Sequence, residues 1–169
     1  MTPYSELFPI GQGFDAFAAS GLPAERATVA QARQALDTVG ISEATLQRLA
    51  SLKGTYHLLA AGEMWCPDCQ LNLAALDYLC RVQPRVRLGI ITKARAEQAL
   101  RERLGLEKVS IPLVVVLSAD FEQIGLFIER PQAVIDGGEA VLAAYKAGQC
   151  LEATLTDVLA LLESAELAA

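Results

Sequence analysis

Two cysteines separated by two residues, Cys66 and Cys69, form the stretch of this chain with the clearest potential for chemistry. A hydrophobic run over residues 56–61 precedes them and predicts a buried strand, and an apolar helical pattern from about 68 to 83 follows them. Cys66 is therefore expected near a helix N-terminus, where free N–H groups and the helix dipole favour a thiolate. Cys66 could attack a disulfide, and Cys69, one turn further on, could resolve the mixed disulfide that forms.

A pair of cysteines with this spacing can also bind metal or serve a purely structural purpose. Half of many zinc sites has the same pattern, and a second copy of the chain could supply the other half. The chain has one histidine, His57, which is expected to be a satisfied strand residue, and two other cysteines, Cys80 and Cys150. A four-ligand site thus has few candidates, and we predict no metal. The strand-to-helix context favours a redox pair, with Cys66 partly exposed.

The segment Trp65-Cys66-Pro67-Asp68-Cys69, together with Ile111-Pro112 further along, resembles the thioredoxin superfamily. Its Pro-Asp variant is similar to the small thioredoxin-related reductases, and the likeness covers roughly residues 55–164. The resemblance implies an α/β thioredoxin-like fold, with a mixed central sheet flanked by helices. It also implies that a cis Ile111–Pro112 bond faces the dithiol, and that Trp65, Ile111 and Pro112 bind substrate. The backbone of Ile111 would pair with that substrate.

Residues beside the cysteines are expected to tune their reactivity. Pro67 suits the first turn of a helix, where a missing N–H costs little. Asp68 and Glu63 carry carboxylates near Cys66 and oppose formation of its thiolate by like charge. No Lys, Arg or His lies between positions 62 and 73, so the sequence shows no positive neighbour. We therefore predict a reductant rather than a strong oxidant.

One position departs from the pattern of typical thioredoxins. The resemblance implies a buried acid six residues before the first cysteine, as proton acceptor for the resolving thiol, but this chain has Ala60 there. A second class of function is therefore open: a thioredoxin-like module for redox sensing or partner binding, without general reductase turnover. Cys80 lies about 16 Å beyond Cys69 along the same predicted helix, too far to bridge to it. We interpret Cys80 as a buried apolar residue, and the role of Cys150 is open.

Composition limits the partners and the location that this chain can have. The chain has 169 residues, is 53% hydrophobic and carries a formal net charge of −6. Its acidity disfavours nucleic acid or an anionic membrane surface as partner, and no apolar run reaches the roughly 18 residues of a membrane span. The N-terminus lacks the features of a signal peptide, so we expect a cytoplasmic protein. We expect no bound cofactor, since the electrons for disulfide reduction would come from a reductase or a low-molecular-weight thiol.

Hydrophobic periodicity predicts the remaining elements of a single compact domain overall. Residues 1–54 are expected to form an N-terminal helical extension, an arm and helices packed on a thioredoxin-like core of residues 55–169. The arm is predicted to be irregular apart from a helical turn near 14–19. Two helices should follow, from 24 to 38 and after Ser42. The core should hold strands at 86–92, 113–117 and 123–128, the last two antiparallel, and helices at 94–104, at 139–147 and after Cys150.

Overall fold

The computed structural model describes residues 1–169 and has a central sheet of four strands. These are β1 (Tyr56–Gly62), β2 (Val86–Thr92), β3 (Leu113–Leu117) and β4 (Gln123–Ile128). Their order across the sheet is β2-β1-β3-β4. Strand β1 pairs in parallel with β2 and antiparallel with β3, and β3 pairs antiparallel with β4. The sheet is therefore mixed, and the α/β thioredoxin-like architecture is confirmed.

Helices surround this sheet, and their bounds largely follow the predicted ones. They are α1 (Tyr4–Leu7), α2 (Phe14–Ala19), α3 (Pro23–Thr38), α4 (Glu43–Ala50), α5 (Pro67–Val82), α6 (Lys93–Leu104), α7 (Gln132–Asp136), α8 (Gly138–Lys146) and α9 (Leu151–Ala168). Strands β1 and β3 are buried at every position, as expected for strands covered on both faces. None of the helices is both long enough and apolar enough to span a bilayer.

The N-terminal segment shares its hydrophobic core with the rest of the chain. Tyr4, Phe14 and Phe17 are buried in the same cluster of 43 residues that contains the strands. Helix α3 packs on α5. In place of a further edge strand, Gln12 forms one antiparallel bridge to Ile90 of β2, with hydrogen bonds of 2.8 and 2.9 Å.

The register between β1 and β3 explains why two distant segments meet at one end of the sheet. Ala61, near the end of β1, lies opposite Leu113, the first residue of β3. Because the two strands are antiparallel, the chain that leaves β1 toward the cysteines passes beside the chain that enters β3 through Pro112. The sheet thus positions Cys66 close to the Ile111–Pro112 segment.

Two short helices were missed by the sequence prediction. The arm, expected to be irregular before residue 14, forms α1 and a 3₁₀ turn over Phe8–Ile10. Helix α7 has only five residues, too few for a periodic signal, and a tertiary contact stabilises its first turn. The backbone N–H of Gln132 donates to Asp157 of α9 at 2.7 Å.

Candidate functional site: a dithiol at a helix N-terminus

Cys66 and Cys69 lie where strand β1 gives way to helix α5. Cys66 is the N-cap residue of α5, and Pro67 occupies its first turn. The backbone N–H of Cys69 donates to Sγ of Cys66 at 3.4 Å, which satisfies one of the free donors at the start of the helix. Both cysteines are free thiols in this structure. The helix N-terminus therefore points a backbone donor at Sγ of Cys66.

The two thiols have very different acidities because they interact directly. A hydrogen bond from the Cys69 side chain is the main cause that lowers the pKa of Cys66 to about 7, while burial and the charge of Asp68 act in the opposite direction. The same hydrogen bond, followed by burial, raises the pKa of Cys69 far above its ordinary value. Cys66 is thus the more acidic thiol of the pair, and Cys69 keeps its proton at neutral pH.

Cys66 is less accessible than the sequence suggested. The prediction of a partly exposed residue was wrong, because only 6% of Cys66 is accessible to solvent. Its Sγ lies 3.7 Å from the carbonyl oxygen of Ile111, so the Ile111–Pro112 segment covers it. The Ile111–Pro112 peptide bond is cis. Ile111 pairs with no other backbone group, and its carbonyl oxygen accepts a hydrogen bond from the Cys66 thiol.

Trp65 and Glu63 flank the dithiol in different ways. The side chain of Trp65 is 62% exposed, which makes it one of the large apolar side chains on the surface. The carbonyl oxygen of Glu63 accepts a hydrogen bond from the backbone of Cys66 at 3.2 Å. A backbone hydrogen bond from Glu63 also favours the thiolate of Cys69 and so partly opposes the rise in the pKa of Cys69. In this structure Glu63 acts on the pair through its main chain.

The expectation that the site lacks a positive neighbour was wrong. Arg130, just after β4, donates from Nε to Oδ1 of Asp68 at 3.0 Å. The hydroxyl of Tyr145 in α8 donates to the same oxygen at 2.6 Å. Both residues are distant from the cysteines in sequence, so the absence of cations between positions 62 and 73 could not predict them. A resemblance based on the cysteine motif offered no signal for either residue.

Ala60 is fully buried in β1, so no carboxylate occupies the position of the acid that the resemblance implies. His57 is a satisfied strand histidine, as predicted. Its Nδ1 lies 3.0 Å from the carbonyl oxygen of Ser118, and its ring stacks on Phe121. Cys80 is half-buried against the core, and burial raises the pKa of its thiol. Cys150 lies between α8 and α9, as its sequence position indicated.

No group of three or more His, Cys, Asp or Glu side chains is arranged to hold a metal ion. A cleft with a volume of about 620 Å³ adjoins the site, and Arg130 forms part of its wall. Its other lining residues come from the end of β4 and from α7 and α8, and they are Ile128, Glu129, Val134, Ile135, Gly138, Glu139 and Leu142.

Solved structures with the same fold are similar to this chain in sequence as well. A crystal structure of a protein of unknown function from Pseudomonas aeruginosa is 55% identical, with a TM-score of 0.95, and the match covers 98% of this chain and 99% of that one. An HIV epitope-scaffold is 52% identical, with a TM-score of 0.94, over 96% of this chain and 99% of the other. No curated protein matches the chain.

A protein-family model identifies the relationship of the chain as a whole. The model described as thioredoxin matches residues 11–144, which include most of the N-terminal helices as well as the dithiol and Pro112. The likeness therefore begins earlier in the chain than the roughly 55–164 that the motifs alone suggested. Since the match spans well over half of the chain, this protein belongs to the thioredoxin family.

Proposed function

We propose that this protein is a thiol-disulfide oxidoreductase that reduces disulfide bonds of proteins or small molecules through Cys66 and Cys69. The observation that carries the proposal is the arrangement of Cys66. Its N-cap sulfur accepts from the Cys69 amide and lies beside Ile111, whose main chain pairs with no other backbone group. It combines a stabilised thiolate with a place for the substrate chain.

The reaction proceeds in two exchange steps. The Cys66 thiolate attacks one sulfur of the substrate disulfide, the S–S bond breaks, and the other sulfur leaves as a thiolate. Cys69 then loses its proton to the released thiolate or to water and attacks Sγ of Cys66. The second substrate sulfur leaves, and the protein is left with a Cys66–Cys69 disulfide. Two electrons have passed to the substrate.

The acidity of Cys66 supports a reducing direction. A pKa of about 7 for Cys66 leaves a substantial thiolate fraction at neutral pH without making the reduced state strongly preferred. Strongly oxidising dithiols of this kind have an attacking cysteine with a pKa of about 3.5 instead. We propose that the protein acts in the cytoplasm, where an electron-donating reductase or a low-molecular-weight thiol returns Cys66 and Cys69 to the reduced state.

Substrate binding is assigned to Trp65, Ile111 and Pro112. The main chain of Ile111 pairs with no other backbone group, and its carbonyl loses its only donor when the Cys66 thiol ionises. Both groups can then pair with an extended substrate segment as an added strand. The exposed indole of Trp65 offers apolar contact area next to the nucleophile. Together they favour a peptide lying across Cys66.

A second candidate function is a redox-sensing or partner-binding module without turnover. The observation that favours it is Ala60, which leaves Cys69 without the buried carboxylate expected as its proton acceptor. In that case the dithiol would oxidise and reduce reversibly, but catalytic reduction of disulfides would be slow.

One set of assays on purified protein distinguishes these functions from metal binding. Thiol titration before and after oxidation counts the reacting cysteines, metal analysis detects a bound ion, and reduction of insulin disulfides by dithiothreitol measures turnover. The proposal expects reversible loss of two thiols, no stoichiometric metal, and turnover that requires Cys66. Reversible loss without turnover would favour the module, and stoichiometric metal on the cysteines would overturn both.

A further inference from the structure

A partly buried polar network surrounds the first turns of helix α5, next to the dithiol. Oδ1 of Asp68 accepts hydrogen bonds from Nε of Arg130 at 3.0 Å and from the hydroxyl of Tyr145 at 2.6 Å. Arg130 and Tyr145 approach Asp68 from different elements, the turn after β4 and helix α8. The carboxylate is thereby held by one charged and one neutral donor, and its side chain is only 18% exposed.

Asn72, one helical turn beyond Asp68, connects this carboxylate to the rest of the network. It is fully buried. Its Nδ2 lies 2.8 Å from the hydroxyl of Tyr145 and 2.8 Å from the carbonyl oxygen of Glu129. Its Oδ1 accepts from the hydroxyl of Thr154 in α9 at 2.6 Å. The network is therefore satisfied at its centre, as a buried polar cluster must be to hold one geometry.

The same network reaches the segment that faces the nucleophile. The backbone N–H of Glu129 donates to the carbonyl oxygen of Pro112 at 2.9 Å. Glu129 has a positive φ of 64°. Residues other than glycine rarely adopt this backbone conformation, and it is enriched at functional sites. Its main chain is thus fixed between Asn72 on one side and Pro112 on the other. Helix α5 and the Ile111–Pro112 segment are joined through Glu129 as well as through the sheet.

The charges around Cys66 give this network a chemical consequence. The charge of the Asp68 carboxylate raises the pKa of Cys66, whereas a hydrogen bond from the Asp68 backbone lowers it. Arg130 faces Asp68, and Glu129 adds a further negative charge near Arg130. A carboxylate paired with a guanidinium presents a smaller field to its surroundings than a carboxylate alone. Arg130 should therefore reduce the amount by which the charge of Asp68 raises the pKa of Cys66.

We propose that Arg130 is a positioning residue of the dithiol, which holds the Asp68 carboxylate against Tyr145 and offsets its charge so that it does not suppress the Cys66 thiolate. The inference rests on the proposed function for its purpose, since a reactive thiolate matters only if Cys66 exchanges disulfides. It also explains how an acidic Cys-Pro-Asp-Cys segment keeps a reactive first cysteine without a cation nearby in sequence.

The same geometry makes Asp68 a poor replacement for the acid absent at Ala60. Its Oδ1 already accepts hydrogen bonds from Arg130 and Tyr145, which hold the carboxylate in this network. We assign Asp68 to the electrostatic balance of the site and not to proton transfer from Cys69.

The test measures the rate of alkylation at Cys66 by iodoacetamide as a function of pH, with the modified residue identified by mass spectrometry. Arg130→Gln should move the midpoint of this profile to higher pH and lower the rate at pH 7 by roughly three- to tenfold. Arg130→Lys, which keeps the charge, should restore part of the rate. Arg48→Gln removes another ion pair, Arg48–Glu163, between α4 and α9, and should leave the profile unchanged.

A double variant decides whether Arg130 acts through Asp68. In an Asp68→Asn background there is no carboxylate to offset, so Arg130→Gln should change the Cys66 profile little. An equal effect of Arg130→Gln in both backgrounds, or a folded Arg130→Gln protein with the wild-type profile, would overturn the inference. If Arg130→Gln does not fold, Tyr145→Phe provides a second test, because it removes one donor to Asp68. It too should lower the rate of Cys66 alkylation at pH 7.

Turnover is measured separately with a disulfide substrate. A protein that reduces no disulfide in any variant would contradict the proposed function, while a shift of the Cys66 profile in Arg130→Gln would still support the inference. The two failures are thus distinguishable.

Discussion

Sγ of Cys66 lies 3.7 Å from the carbonyl oxygen of Ile111, a residue whose main chain pairs with no other backbone group. A substrate segment that pairs with Ile111 would bring its own sulfur to Cys66 without a side-chain pocket. Main-chain pairing does not depend on the amino-acid sequence of the substrate, so the side chains near Ile111 would determine any preference among substrates. This relationship leads to predictions about each thiol and about the residues beside it.

The first prediction separates the roles of the two cysteines. Cys66→Ser should abolish disulfide reduction, because Cys69 is fully buried and holds its proton. Cys69→Ser should retain the first attack and accumulate a mixed disulfide, detectable as a mass adduct on Cys66 that dithiothreitol removes. Cys150→Ser, outside the pair, should behave as wild type. Adducts of equal amount on both single variants, or on neither, would contradict this assignment.

The second prediction concerns pH. Because its pKa is lowered to about 7, Cys66 should react with iodoacetamide along a profile with a midpoint near pH 7, below the roughly 8.5 of an ordinary cysteine. Reactivity should fall as the pH drops below 7, since the thiolate is the reactive form. Cys69→Ala removes the main hydrogen bond responsible and should move the midpoint upward. A midpoint at or above 8.5 in the wild type would refute the acidity assigned to Cys66.

Local patterns were sufficient for most of the fold. Strands β2, β3 and β4 have the predicted bounds, because β-branched runs with flanking Gly, Pro or turn residues leave little choice of structure. Ser42 caps α4 as predicted, since its hydroxyl accepts from the backbone of Thr45. Short elements such as α7 depend on a tertiary partner, here Asp157, and have no periodicity to detect.

Only some residues of the candidate site could be predicted from the sequence. The cysteines and Pro112 belong to a recognisable motif, and the register of β1 against β3 brings them together. Arg130 and Tyr145 reach Asp68 from 62 and 77 positions away, and a single sequence contains no spacing rule for such contacts. The burial of Cys66 was missed for the same reason, because it is a distant segment that covers the sulfur.

The third prediction tests the exposed indole beside the nucleophile. Trp65→Ala should change the free energy of unfolding by no more than about 0.5 kcal/mol, because the side chain is mostly exposed. It should lower kcat/KM for a protein disulfide by roughly tenfold if Trp65 contributes as a contact residue of average strength. Reduction of hydroxyethyl disulfide, too small to reach the indole, should change less than about twofold by the same reasoning.

Val39→Ala is the matched control for this variant. Val39 is 87% exposed at the end of α3, and its loss should affect neither substrate. Equal loss of activity toward the protein and the small disulfide in Trp65→Ala would indicate that the indole shapes the dithiol itself and not the substrate contact.

The last prediction concerns Gly62, the final residue of β1, which lies against the resolving thiol. A Cβ at this position would meet Cδ1 of Leu73 at 2.9 Å and Sγ of Cys69 at 3.3 Å, and both residues are fully buried. Gly62→Ala should therefore lower the free energy of unfolding by about 1–3 kcal/mol, the usual cost of overpacking. It should also displace Cys69 and slow its attack on the mixed disulfide more than the first attack by Cys66.

Gly13→Ala is the control, because a Cβ on Gly13 would have no atom within 4 Å. Because Gly13 is the N-cap of α2 and Ala is a weaker cap, its free energy of unfolding should fall by about 1 kcal/mol or less. Quenched-flow mass spectrometry with a disulfide peptide can follow the mixed disulfide on Cys66, which should persist longer in Gly62→Ala than in Gly13→Ala. If the adduct forms and decays equally fast in both proteins, the close contact between Gly62 and Cys69 has no part in resolution, and the effect of Gly62→Ala is confined to packing.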